Sequence, residues 1–279
     1  MKEHGHFRIG AAKWRPPFIR EIRARAEADG ILQATHSLLE RDNVTVTPKG
    51  HVAAVKDHSG GILFVGNHDK QFEFVALMSF LGQIDRTNMK NVVKFYVRNQ
   101  IDWALGKSGT DIVLPVYPRL LATDRKNKLN LELGSRILFR RSLQSTEESA
   151  RHNEQTLDAS AAELSSGGSV NIYPCGRIAN NMKKPWRSGV GRILTRLAET
   201  ERDDVLVVPY HANNINRVRL LGAVALQGKG PLPRPQDICI EFGQSAKASD
   251  IINRLPDSDK DNAAAVTEVI RQQYLTRLT

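Results

Sequence analysis

The apolar run Ile62-Leu63-Phe64-Val65 limits this chain more than any other stretch. It has no polar alternate residue and is too short for a buried helix, so it reads as a short strand inside a sheet. It leads into Gly66-Asn67-His68-Asp69-Lys70-Gln71-Phe72-Glu73, and the helix-like run Phe74-Val75-Ala76-Leu77-Met78 follows. A buried strand therefore delivers an Asn-His pair into a turn, with a carboxylate just before or within the next helix.

The same alternation continues along the chain. Strands are predicted at residues 43–47 and 51–55, on either side of a Pro48-Lys49-Gly50 turn. Others are predicted at 91–97, 111–116, 169–173, 205–209, 217–226 and 237–243. Helical composition marks 14–41, a short piece around Trp103, 123–141, 149–165 and 261–278. Strands that alternate with helices imply an α/β fold, a mostly parallel sheet flanked by helices on both faces. The expected organisation is an N-terminal helical element, residues 1–42, before an α/β domain at 43–279.

Charge narrows the partners. The 40 Lys and Arg outnumber the 30 Asp and Glu, a formal charge of +10. That excess favours polyanionic partners, among them phosphorylated substrates, an acidic carrier protein or an anionic bilayer. Nucleic acid is not expected, because no module of interleaved aromatic and basic residues accompanies the charge. Two cysteines, Cys175 and Cys239, imply no disulfide framework and fit a reducing compartment. The polar, basic N-terminal stretch carries no secretory leader pattern, and the longest apolar stretch, near 74–81, is too short to span a bilayer. The expected location is cytoplasmic. An N-terminal helix with Arg20, Arg23 and Arg25 on its surface is read either as an ordinary packed helix or as an element meeting anionic lipid.

Familiar cofactor and metal patterns are missing from the sequence. Gly106-Lys107-Ser108 ends like a phosphate-binding loop but has Ile101 where the first glycine belongs. Leu194 stands where a dinucleotide fingerprint beginning at Gly189 needs its third glycine. Neither Cys-x-x-Cys nor His-Glu-x-x-His occurs, so no metal is expected. No Gly-x-Ser-x-Gly elbow is present either.

The chemistry then rests on His68 and Glu73. Within one helix, five residues rotate by about 500°, which would point the two side chains apart. With His68 in the turn and Glu73 at the helix start, the carboxylate can bond one ring nitrogen and leave the other as a general base. A lone histidine near a carboxylate is more often a surface or capping pair, so later motifs must decide. Three follow in order: Leu114-Pro115-Val116-Tyr117-Pro118-Arg119, Ile172-Tyr173-Pro174-Cys175-Gly176-Arg177, and Val205-Leu206-Val207-Val208-Pro209.

In that order, these four motifs resemble the blocks of the glycerolipid acyltransferase family, the PlsC-like lysophosphatidate and glycerol-phosphate acyltransferases. Asn67-His68-x4-Glu73 resembles Asn-His-x4-Asp, with Glu in place of the usual Asp. Arg119 matches the arginine of the second block, which binds the acceptor's phosphate, a task suited to the planar guanidinium fork. Tyr173, Pro174 and Gly176 match Phe-Pro-Glu-Gly-Thr-Arg in kind, with Cys175 at the glutamate's place and Arg177 arriving one residue early.

The resemblance implies an O-acyltransferase with His68 and Glu73 as its catalytic pair. Asn67, Arg119, Tyr173, Pro174, Cys175, Gly176 and Arg177 would bind substrate. It implies acyl-CoA or acyl-carrier protein as donor, and glycerol phosphate or a lysophospholipid as acceptor. No cofactor beyond the acyl donor is expected. Cys175 has three readings: a small packed residue, a thiol nucleophile beside His68, or a sign that the acceptor has changed. The competing functional reading is a non-catalytic relative that binds anionic lipid or an acyl carrier.

Overall fold

The computed structural model describes residues 17–67, 73–94, 101, 109, 111–117, 146–175, 185–200, 204–216 and 236–277. The chain opens with α1 (Pro17–Asp29) and α2 (Ile31–Arg41), parted at Gly30. Then come β1 (Val44–Gly50), α3 (Val52–Lys56), β2 (Ile62–Gly66), α4 (Glu73–Gln83), β3 (Met89–Lys94) and β4 (Val113–Val116). The second half supplies α5 (Thr146–Ser165), β5 (Ser169–Ile172), α6 (Gly189–Ala198), β6 (Leu206–Asn213) and β7 (Gln236–Phe242). It ends with β8 (Ala246–Lys247), α7 (Ala248–Asn253), a 3₁₀ turn at Asp257–Asp259 and α8 (Ala263–Arg277).

The strands form one sheet in the order β1-β7-β6-β2-β5-β3-β4, with β8 paired to the start of β6. β2 runs parallel to both of its neighbours: Val65 stands opposite Ile172 of β5 and Pro209 of β6. Among the described residues only the β6–β7 and β6–β8 pairs are antiparallel, so the sheet is mixed but mostly parallel.

All five residues of β2 are buried. Alternation sends Ile62 and Phe64 to one face, where α1, α2 and α4 bring Ala26, Leu32, Leu77 and Phe80. Leu63 and Val65 face the other layer, built from α5, α6, α7 and α8 with Leu164, Ile193, Ile251 and Ile270. Two apolar faces on one strand demand two helical layers, and the chain supplies one from each end. Ile31, Leu32, Ala34 and Leu38 of α2 are all buried, so the N-terminal helices are part of this packing. Among the described residues no helix is long and apolar enough to cross a membrane.

Two readings from sequence change here. Pro48 and Gly50 are not in a turn but inside β1, opposite Ile240 and Phe242 of β7. β1 is the outermost strand of its side of the sheet, and an edge strand tolerates a proline's missing N–H. Residues 51–55 were expected as a strand, but Val52–Lys56 form the single-turn helix α3. Gly50 has φ +74°, which turns the chain out of the ladder, and only Val55 of α3 is buried. A short apolar run fits one helical turn as well as a strand, and one buried side chain is enough to hold it. The predicted segments near Trp103 and at 123–141 and 217–226 lie outside the described residues.

α6 meets α8 at Gly191. A Cβ there would come within 1.9 Å of the Ala263 carbonyl oxygen, and the Gly191 N–H donates to Thr267 Oγ1 at 3.0 Å. Gly191→Ala forces these helices apart and is expected to destabilise the fold by about 2–3 kcal/mol. Urea unfolding checks this: the midpoint should fall with an unchanged slope, and an unchanged midpoint would contradict the close approach.

Candidate active site at the end of the central strand

β2 and β5 are adjacent and parallel, yet the helices nearest their C-terminal ends lie on opposite faces. α4 packs in the layer of Phe64, and α6 in the layer of Leu63. In open α/β sheets ligands usually bind beyond the strand ends where the flanking helices diverge in this way. The described chain segments at this edge are Gly66-Asn67 after β2 and Tyr173-Pro174-Cys175 after β5.

Asn67 is fully buried and fixed at this edge. Backbone pairing of β2 with β6 reaches Gly66 opposite Tyr210. Beyond it, the Asn67 amide takes over the ladder: Oδ1 accepts from the Ala212 N–H at 3.0 Å, and Nδ2 donates to the Ala212 carbonyl at 3.3 Å. A side chain with one donor and one acceptor side by side is needed, which an aspartate lacks. Glu73 is the first residue of α4 and is also fully buried. The helix N-terminus favours a negative charge at that position.

Around Glu73 lies a polar cluster that sequence reasoning missed. Tyr210, on β6, is fully buried, and its hydroxyl lies 3.0 Å from Asn171 Oδ1 and 3.2 Å from the Tyr173 hydroxyl. Asn171 Nδ2 donates to Asn91 Oδ1 at 3.0 Å, between the paired strands β5 and β3. Burial pushes the Tyr173 hydroxyl well above the ordinary phenol range, and the Glu73 charge pushes it in the same direction. Tyr210 is raised first by burial, then by Tyr173 and Glu73. Both phenols therefore keep their protons at neutral pH. The sequence carried small signals for these residues: Asn171 interrupts the apolar Val170-Ile172 pair, and Tyr210 directly follows the Val-Pro motif.

Of the residues read from sequence, the structure brings Asn67, Glu73, Tyr173, Pro174 and Cys175 to this one edge. Tyr173 and Cys175 are partly exposed and Pro174 is buried, its carbonyl accepting from the Arg187 N–H at 3.0 Å. His68, Arg119, Gly176 and Arg177 lie outside the described residues. Among the described residues no group of His, Cys, Asp and Glu is arranged to hold a metal ion.

No family model and no curated protein matches the sequence. Among solved structures, the 1-acyl-sn-glycerophosphate (LPA) acyltransferase PlsC from Thermotoga maritima aligns with 91% of this chain and 82% of its own, at 13% identity and a TM-score of 0.46.

Gly66 makes room for the cluster. A Cβ on Gly66 would sit 2.3 Å from the Tyr210 ring, which is itself held edge-on by Phe64 with centroids 6.3 Å apart. Gly66→Ala must displace that ring and strip its hydroxyl of both partners. The expected cost is about 2–4 kcal/mol, from overpacking together with a broken buried hydrogen bond. Chemical unfolding measures it, and a loss under about 0.5 kcal/mol would show that the ring moves aside freely.

Proposed function

We propose that this protein is an O-acyltransferase that moves an acyl group from acyl-CoA or acyl-carrier protein to the hydroxyl of a phosphorylated or lysolipid acceptor. The observation that carries this reading is the convergence of two motifs at one end of the sheet. The Asn67 motif leaves β2 and the Tyr173-Pro174-Cys175 motif leaves β5, and those strands are parallel neighbours. Motifs far apart in sequence meet where an α/β sheet binds its ligands.

In this reading Asn67 anchors the chain immediately before His68, and Glu73, at the start of α4, orients the imidazole. His68 accepts the proton of the acceptor hydroxyl as its oxygen attacks the thioester carbonyl. The tetrahedral intermediate collapses, the C–S bond breaks, and the thiolate leaves with the proton returned by His68. The products are an ester and a free thiol. Holding donor and acceptor together supplies much of the acceleration. Arg119 and Arg177 receive the acceptor's anionic group by charge-assisted hydrogen bonds. Cys175 is a packing residue here, because transfer is direct and the thiol forms no intermediate.

Thiol release from a panel of acyl-CoAs and acyl-carrier proteins, with glycerol 3-phosphate, lysophospholipids and neutral alcohols as acceptors, tests the proposal. His68→Ala is expected to lower acceptor-dependent turnover by roughly 10²–10⁴-fold, the range of a lost general base. Glu73→Gln should lose less, and Cys175→Ser should stay active. Turnover that survives His68→Ala sinks this mechanism, and loss in Cys175→Ser would point to a thioester intermediate. Lipid or carrier binding by a folded protein that releases no thiol would favour the non-catalytic reading.

A further inference from the structure

The second motif leaves the sheet at the same edge as the other two. β2, β5, β3 and β4 are successive parallel neighbours, so Tyr117, one residue past β4, emerges at the edge where Asn67 and Tyr173 stand. Among the described residues β4 is the outermost strand on its side, and a helix meets its outward groups. Ile112 gives its carbonyl to the Asn91 N–H on β3, so alternation turns the peptide groups of residues 113, 115 and 117 outward. Pro115 has no N–H to lose there, and its carbonyl accepts from Thr156 Oγ1 of α5 at 2.6 Å.

Asn153, one turn earlier on the same face of α5, holds Tyr117 at two points. Its Oδ1 accepts from the Tyr117 N–H at 2.7 Å, and its Nδ2 donates to the Tyr117 carbonyl at 2.9 Å. The amide stands in for a neighbouring strand, as Asn67 does toward Ala212. Water would satisfy the polar groups of a partly exposed strand end, so what the amide adds is orientation. The Tyr117 ring lies against His152 with centroids 5.1 Å apart. α5 is itself braced from the other side: Glu154 pairs with Arg192 and Arg196 of α6, and Asp158 with Arg196.

We propose that Asn153 is a positioning residue for acceptor binding, which fixes the Tyr117 backbone and with it the direction in which the chain continues to Arg119. The inference rests on the acyl-transfer reading above, in which Arg119 receives the acceptor's anionic group. Pro118 alone separates Tyr117 from Arg119 in sequence. A proline fixes its own φ and narrows the choices of the residue before it, so few backbone torsions remain between the held peptide and the arginine. The role concerns the anionic acceptor and not the acyl donor.

Kinetics with palmitoyl-CoA as donor and glycerol 3-phosphate or 1-acylglycerol 3-phosphate as acceptor test it. Asn153→Ala is expected to raise the acceptor KM about tenfold and to leave the KM for palmitoyl-CoA nearly unchanged. Asn153→Asp sets a carboxylate against the Tyr117 carbonyl and should be as poor. Asn153→Ser should move the acceptor KM the same way by a smaller factor, which keeps the test open if Asn153→Ala folds poorly. Arg119→Ala should raise the acceptor KM further, and adding Asn153→Ala to it should make it no worse, because Asn153 acts through Arg119. Arg196→Ala cuts the brace on the other side of α5 and leaves Tyr117 held, so its acceptor KM should match wild type. An acceptor KM unmoved by Asn153→Ala, an equal rise in Arg196→Ala, or losses that multiply in the double variant overturn the positioning role. An acceptor KM unmoved by Arg119→Ala overturns it too, by removing the group that Asn153 is held to aim. A folded wild type that transfers to neither acceptor removes the acyl-transfer reading itself, and the role of Asn153 with it.

Discussion

β2 has no face left for water. Its five residues are buried between parallel neighbours, with Ile62 and Phe64 in one apolar layer and Leu63 and Val65 in the other. Each such side chain gains roughly 1.5–3 kcal/mol by leaving water, and only a sheet covered on both sides collects that gain. The rest of the architecture answers this demand. α2 and α4 close one side, and α5, α6 and α8 close the other. Where close packing leaves no room for a side chain, glycine stands, as where Gly191 lies against the Ala263 carbonyl.

At the C-terminal end of β2 the apolar strand gives way to buried polar groups. An unpaired polar group in such a place costs about 1–3 kcal/mol, so each must be matched to a partner. Asn67 does this by extending the ladder with its side chain, donating to and accepting from Ala212. Tyr210, Asn171 and Asn91 do it by bonding one another in sequence along three strands. The helix that starts at Glu73 adds its N-terminal dipole to the same place. A rigid apolar strand thus ends in a small set of fully oriented polar groups, the kind of preorganised edge that catalysis or recognition uses.

Much of this was legible in the residues. The unbroken run at 62–65 gives the buried strand, helical composition marks 149–165 and apolar residues at helical spacing mark 261–278, where the structure has α5 and α8. Asn67, Glu73 and the Tyr173-Pro174-Cys175 bend stand out as a motif. Residues 48–56 misled for a definite reason. Pro48 and Gly50 are turn formers by local preference, but pairing with β7 keeps both in strand, and the chain turns only at the positive φ of Gly50. The pairing of Asn91 with Asn171 was not legible for another: a single asparagine in a strand looks the same whether it meets solvent or a second asparagine.

The sequence by itself determined which segments become strands and helices over most of the described chain, and which short motifs carry polar chemistry. Those properties depend on neighbours a few residues away, through side-chain periodicity and turn preference. Only the tertiary structure decided that β5 and β6, both distant in sequence, flank β2. That choice places Tyr210 over Gly66 and sets its hydroxyl between Asn171 and Tyr173. Strand order and register are fixed by the joint packing of two helical layers on one sheet, a many-body condition that no local run of residues encodes.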